Sequence, residues 1–276
     1  MLKKLLVIAG LLVIAAVLMV GLKIKSISST VNTTQATQEP FMKKLQANIF
    51  RMTKRSSVYD FMRKSYYTFG VPQKGVIHVG ARNGEELEFY VAHDVKNVLW
   101  IEADPAAEPD LKRAVAKHPG SKVAMFAASD ANGIITLHKT ANSGHSSSVL
   151  KLKNHLIHYP GITEVEAIQV PQWRLDDYLS AEDKATYNMM VMDIQGAELI
   201  ALRGATNTLK SIDAIIAEVN YDELYEGCAL IGDLDEFLKQ QGFTRVDLIS
   251  VAYYTGDALY VKNKFFKPLI NNKDSK

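Results

Sequence analysis

The sequence predicts an α/β chain with a doubly wound, mostly parallel seven-stranded sheet, preceded by an N-terminal transmembrane helix. Three observations predict it. From Gly75 onward, short β-rich runs alternate with helical stretches, the pattern of a parallel sheet with crossover helices. The first run, Val76-Ile-His-Val79, passes into the turn Gly80-Ala-Arg-Asn-Gly-Glu85, and the second, Val98-Leu-Trp-Ile-Glu102, closes on a carboxylate. Near the start, Leu5 to Leu22 is an uninterrupted uncharged run of 18 residues.

At about 1.5 Å per residue, the run over 5–22 approaches the hydrocarbon thickness of a lipid bilayer. A cleaved signal peptide is the rival reading, but the run is long for one and no small-x-small site clearly follows it. Lys3 and Lys4 on one side and Lys23 and Lys25 on the other leave the orientation undecided. The expected divisions are an anchor over 1–25, a Ser-, Thr- and Gln-rich stalk over 26–40, a basic helical cap over 41–74, the sheet domain over 75–265 and a polar tail over 266–276. In the cap, Leu45, Ile49 and Met52 recur at helical intervals among Lys43, Lys44, Arg51, Lys54, Arg55, Arg63 and Lys64. Such a face either meets anionic headgroups or is simply solvated.

Within the sheet domain, strands are expected over 76–80, 98–102, 122–127, 189–193, 214–219, 243–248 and 257–262. Helices are expected over 84–93, 106–117, 174–180, 196–203 and 231–241. The short loop before the last strand makes the final two an antiparallel pair at one edge. Residues 130–170 interrupt the alternation with a hairpin around Ile134-Ile-Thr-Leu137 and the run Ser143-Gly-His-Ser-Ser-Ser148. A long insertion at the ligand-binding end of such a sheet reads as a lid or acceptor loop.

Composition narrows the function. The chain of 276 residues carries a formal charge of +2 and has no Lys/Arg stripe interleaved with aromatics, which argues against nucleic acid. Its single cysteine, Cys228, excludes an intrachain disulfide, and no His–Asn/Asp arrangement around it makes a nucleophile.

The glycine turn narrows it further. Glu102 follows Gly80 at the interval where a carboxylate can accept from both hydroxyls of a ribose. The turn reads G-x-x-x-G, however, and Ala81 and Arg82 occupy positions that a pyrophosphate needs cleared. Glu85, Glu86 and Glu88 crowd the helix start and would repel a phosphate. No Gly-Lys-Ser/Thr follows, which excludes a P-loop. A phosphate-free nucleoside with a cationic centre suits the turn better, and S-adenosylmethionine fits. An NAD-dependent oxidoreductase would use the same fold, but the missing G-x-G-x-x-G argues against it.

Several further pieces recur in order: Val79-Gly-Ala-x-x-Gly84, Trp100-Ile-Glu-Ala-Asp-Pro105, Ala127-Ala-Ser-Asp-x-x-Gly133, Ser146-Ser-Ser-Val-Leu150, Arg174-Leu-Asp-Asp-Tyr-Leu179, Met192-Asp-Ile-Gln-Gly-Ala-Glu198, Leu202-Arg-Gly-Ala205 and Glu218-Val-Asn220. In this order and spacing, over roughly residues 75–262, the chain resembles the FkbM-type methyltransferases. The resemblance implies the class I methyltransferase fold, S-adenosylmethionine as cofactor, and methylation of hydroxyl oxygens on glycans or secondary metabolites. It places Gly80, Arg82, Asn83 and Gly84 around the amino acid end of the cofactor, with Glu85 nearby. It puts Glu102 on the ribose with Ala103 following, and Asp130 at the adenine amino group with Ser129 beside it. His78 stands where the family more commonly carries Asp. It cannot supply that negative charge, so either Glu85, Glu102 or Asp193 compensates or cofactor affinity suffers; the alternative reading of His78 is a hydrogen-bonded strand-end residue.

An alcohol acceptor needs a general base during attack. The candidates are Asp193 at the carboxyl end of the fourth strand, His145 in the Ser-rich loop and Glu218 at the end of the fifth. Glu218 with Asn220 could equally hold sugar hydroxyls. No metal-ligand spacing is visible, and no metal is expected. The combined expectation is a membrane-anchored, S-adenosylmethionine-dependent O-methyltransferase acting on a carbohydrate or similar hydroxylated acceptor. Cytosolic exposure is favoured because the cofactor is made there. A non-catalytic, membrane-tethered binding module with the same fold is the alternative.

Overall fold

All seven expected strands form, and they pair in one sheet. The computed structural model describes residues 57–266, which lie within one unit, Thr53–Lys276. The strands are β1 (Gly75–Val79), β2 (Asn97–Glu102), β3 (Ser121–Met125), β7 (Met189–Met192), β8 (Ala214–Asn220), β9 (Phe243–Ser250) and β10 (Thr255–Lys262). Their order is β3-β2-β1-β7-β8-β10-β9, parallel except for β10, which runs antiparallel to both β8 and β9. This is the class I methyltransferase, Rossmann-like arrangement. The order reverses between β1 and β7, so the crevice at the carboxyl ends of these two strands is where a ligand sits in such sheets.

The central strands explain why the sequence was readable. Every residue of β1, β7 and β8 is buried, because helices cover both faces of the sheet. Alternate residues feed two cores. Ile77, Val79, Met190, Met192, Ile215, Ala217 and Val219 join one, and Val76, Met189, Val191, Ala214 and Ile216 join the other. The described chain opens in a helix over 57–69, whose Val58, Phe61 and Met62 enter the second core at helical spacing.

Two expectations shift at their edges. The first crossover helix spans Leu87–Ala92 rather than starting at 84, because Arg82 (φ 46°) and Gly84 (φ 71°) hold the preceding residues in left-handed turns. The insertion is more ordered than a hairpin alone. β5 (Gly133–Thr140) pairs antiparallel with β6 (Glu164–Trp173), and β6 pairs with β4 (Ala127–Ala128) in a second, three-stranded sheet.

The expected membrane anchor is corrected. No helix among the described residues is long and apolar enough to cross a membrane. The run over 5–22 lies outside the described residues, as do the expected stalk and residues 41–56 of the expected cap. The transmembrane helix, the bilayer contact and the single-pass localisation with its favoured cytosolic side are therefore withdrawn.

Candidate functional site

The glycine turn is built against the ends of β2 and β7. The backbone N–H groups of Gly80 and Ala81 both donate to the Ile101 carbonyl at 2.9 Å, while Asp193 N donates to the Val79 carbonyl at 3.0 Å. Gly80 takes φ 86°, and a Cβ there would lie 2.0 Å from the Asp193 carbonyl oxygen. Only glycine permits this approach. The turn residues then bond among themselves, with Asn83 Nδ2 donating to Glu85 Oε1 at 3.1 Å and Arg82 Nη1 reaching the same oxygen at 3.4 Å.

Glu102 is tied to this turn. Its Oε2 accepts from Arg82 N at 2.6 Å and its Oε1 from Asp104 N at 2.7 Å. Burial pushes its carboxyl up from the ordinary value, against the opposing pull of the backbone N–H groups, first that of Asp104 and then that of Arg82. Each oxygen has capacity to accept one further donor. A pair of vicinal hydroxyls would meet that capacity. Asn83 Oδ1 is buried and has no hydrogen-bond partner, which suits a cationic donor.

His78 lies inside the core near the end of β1. It is 2% exposed, its ring stacks on Trp100 at 5.1 Å, and its Nδ1 lies 2.6 Å from the Tyr90 hydroxyl. Burial, then the charge of Glu86, raises the Tyr90 phenol well above its ordinary value, so it remains a donor. His78 thus fastens the helix Leu87–Ala92 to β1 from inside the core.

At the ends of β7 and β8 two of the three candidate bases come together. Gln195 Nε2 donates to Asp193 Oδ1 and to Glu218 Oε2, each at 2.7 Å. The amide orientation follows from its partners. Its nitrogen faces two carboxylates, and its Oε1 accepts from the Tyr225 hydroxyl at 2.8 Å. Burial, then the charge of Glu218, pushes the Tyr225 phenol well above its ordinary value and keeps it a donor. Gln195 has φ 56°, unusual for a residue with a side chain, and is followed by Gly196 at φ 93°. Glu198 closes this loop by accepting from Ile194 N at 2.9 Å.

The insertion wraps onto this loop. Ser148 Oγ donates to the Gln195 carbonyl at 2.8 Å, and Tyr225 OH also reaches the Ser146 carbonyl at 3.2 Å. Beyond it, Lys153 N and His155 N both donate to the Leu224 carbonyl, at 2.8 and 3.1 Å. His158 stacks on Tyr254 at 3.4 Å and bonds Asp222 at 2.7 Å. His145 sits partly buried in the Ser-rich turn next to Ser146. Ser129 is buried and Asp130 exposed, in a segment that packs on Gly204 so closely that a Cβ there would meet the Ser129 carbonyl at 1.8 Å. Ala103 packs against Ala127, Leu137 and Val170 under the second sheet.

Gln195 and Tyr225 carry much of this geometry, and neither was singled out from the sequence. Gln195 lies inside the quoted Asp193-Ile-Gln-Gly196 run, a visible signal. Tyr225 has none, since its partners are 30 and 79 residues away. Among the described residues no group of three or more His, Cys, Asp or Glu side chains is arranged to hold a metal ion.

A glycine turn that approaches the neighbouring backbone, a strand-end carboxylate with spare acceptor capacity and an unpaired buried amide oxygen fit a phosphate-free, cationic nucleoside. These features define a nucleoside-binding protein of the Rossmann-like class. The Methyltransferase FkbM domain family matches residues 78–245, more than half of the chain, and the protein belongs to that family. It is an S-adenosylmethionine-dependent methyltransferase. The 2-O-methyltransferase NoeI of Sinorhizobium fredii is 29% identical over 163 residues, which cover 56% of this chain and 67% of that one. Among solved structures, magnesium protoporphyrin IX methyltransferase of Synechocystis, with bound S-adenosylmethionine, aligns at TM-score 0.47 and 11% identity over 84% of this chain and 85% of its own. An rRNA methylase from Streptococcus thermophilus aligns at TM-score 0.42 and 11% identity over 75% and 94%.

Proposed function

We propose that the protein is an O-methyltransferase that transfers a methyl group to a hydroxyl of a glycan or similar acceptor. The observation that carries this reading is the meeting of Asp193 and Glu218 on one amide nitrogen at the carboxyl edge of β7 and β8. The likeness to a 2-O-methyltransferase supports an oxygen acceptor. Two carboxylates fixed side by side are acceptors for hydroxyl protons, and either can take the proton of the attacking alcohol.

The cofactor supplies a methyl group already activated on a cationic sulfur. The chain's residues bind, align and exclude water. Glu102 holds the ribose hydroxyls. Asn83 Oδ1, with Glu85 behind it, receives the cationic amino group, and Gly80, Arg82 and Gly84 shape the turn around that end. Ser129 and Asp130 border the adenine, with Ala103 beneath. Asp193 is the first candidate for the base, Glu218 the second and His145 the third. The insertion over 130–170 covers the acceptor end, and the chain divides into a helical cap ending at 74 and a catalytic domain over 75–265.

The test is radiolabelled methyl transfer from S-adenosylmethionine to a panel of methyl glycosides, run beside calorimetric cofactor binding. Transfer that Asp193→Asn reduces, with cofactor affinity retained, supports the reading. Cofactor binding without transfer to any hydroxylated acceptor overturns it.

A further inference from the structure

Asn220 closes β8 and is 2% exposed, yet its Oδ1 is buried without any hydrogen-bond partner. Such an atom has lost its water and gained nothing in return, a cost that a ligand donor would remove. Its position says which ligand. Ala214 and Ile216 of β8 join one core and Ile215, Ala217 and Val219 the other. Glu218 and Asn220 therefore share one face of the strand, at the carboxyl edge. Two residues along a strand are separated by about 6.6 Å. Two hydroxyls on adjacent carbons span that gap when each donates at about 2.7 Å, one to Glu218 and one to Asn220. Glu218 is held for this by the Gln195 amide.

We infer that Glu218 and Asn220 together read a vicinal diol, so that the acceptor is a sugar 1,2-diol rather than an isolated alcohol. One hydroxyl loses its proton to a carboxylate as its oxygen takes the methyl group and the carbon–sulfur bond breaks. Its neighbour keeps its proton and donates to Asn220 Oδ1. Asn220 is thus a specificity residue. The inference rests on the acceptor reading proposed above.

The experiment uses the full chain, wild type and Asn220→Ala, with radiolabelled S-adenosylmethionine. The probes are methyl glycosides bearing vicinal diols, each paired with the monodeoxy sugar that lacks the hydroxyl next to the methylated one. In the wild type the missing hydroxyl lowers kcat/KM about tenfold or more, the loss expected when a buried acceptor is left unpaired. In Asn220→Ala that discrimination falls to near unity, while Asn220→Asp, which keeps an acceptor, retains it. Equal use of parent and deoxy sugars by the wild type overturns the inference, as does full discrimination by Asn220→Ala. Isothermal binding of S-adenosylmethionine confirms that each variant is folded. If the wild type binds cofactor and methylates no glycoside, the acceptor reading itself fails and this one with it. Methylation of glycosides without diol discrimination overturns this inference alone.

Discussion

Replacing Glu102 by Gln tests the cofactor site with nearly constant shape. In the wild type each carboxylate oxygen already holds one backbone N–H, from Arg82 at 2.6 Å and from Asp104 at 2.7 Å, and offers one more acceptor site. Gln keeps one of those oxygens and turns the other into an NH2 group facing an N–H donor. One charge-assisted ribose bond is lost, worth about 1.5–3 kcal/mol. The expected dissociation constant for S-adenosylmethionine rises by roughly 10- to 150-fold. The pH dependence gives a second, sharper signature. Burial raises the Glu102 carboxyl above its ordinary 4.5. On the proposed reading its ionised form accepts both hydroxyls and favours a cationic ligand, so affinity should be full above the raised pKa and decline as pH falls through it. The Gln variant has no such group, and its affinity should vary much less with pH over that window. Calorimetry at several pH values, with urea unfolding as a check on the fold, measures both. A variant affinity within twofold of wild type, or the same acid loss in both proteins, would refute the placement of the ribose on Glu102.

The remaining predictions concern the frame around that site. Gly80→Ala meets the Asp193 carbonyl at 2.0 Å and a φ of 86°, whereas Gly227→Ala has φ 71° but nothing within 4 Å of the new carbon. The second should cost about 1 kcal/mol and the first clearly more, read as urea midpoints; equal losses would mean the β1–β7 contact is not tight. His155 is held below its ordinary pKa, first by burial and then by His158. The unfolded chain therefore binds its proton more readily. Stability should be full above the ordinary histidine value of about 6.5 and fall as the pH drops below it, until the folded-state pKa is passed. His155→Phe keeps the ring packing on Tyr159 and Tyr225, and its urea midpoint should fall less between pH 7 and pH 5; an unchanged acid loss would assign the effect to other groups. Asp222 anchors the insertion through His158 and Asn154. Asp222→Ala should speed tryptic cleavage after Lys151 and Lys153 without changing the unfolding midpoint of the sheet domain, and an unchanged cleavage rate would show that backbone bonds alone hold the insertion.

How much of this was legible depends on the range of the contacts involved. The central strands β1, β7 and β8 were readable because burial on both faces demands apolar runs, a purely local signal. The second sheet was only half readable. β6 alternates like a strand but is largely exposed and carries Pro171, which weakens any strand reading of the sequence. The contact of Glu102 with the glycine turn was legible because a turn and a strand-end carboxylate at a fixed interval is itself a chain-local pattern. His78 was legible only as one of two readings, a hydrogen-bonded strand-end residue, since its partners Tyr90 and Trp100 are not visible locally. The fold uses it as a buried clasp, in line with the second of those readings.

Gln195 carries the same lesson at the ends of β7 and β8. Nothing local says that one glutamine amide will join Asp193 to Glu218, 23 residues further on from Gln195, and take a hydroxyl from Tyr225. The parallel pairing of β7 with β8 brings the two strand ends together, and the left-handed turn at Gln195 and Gly196 follows directly after Asp193. A side chain in that unfavourable conformation persists only where surrounding bonds over-determine it. Here Ser148 holds its carbonyl, Tyr225 its amide oxygen and the two carboxylates its amide nitrogen. The insertion supplies the first of those bonds and the loop after β8 the second. The pairing of Asp193 and Glu218 on Gln195 is therefore complete only when both segments are seated, and their docking on one another through Leu224 and Asp222 is part of what fixes that geometry.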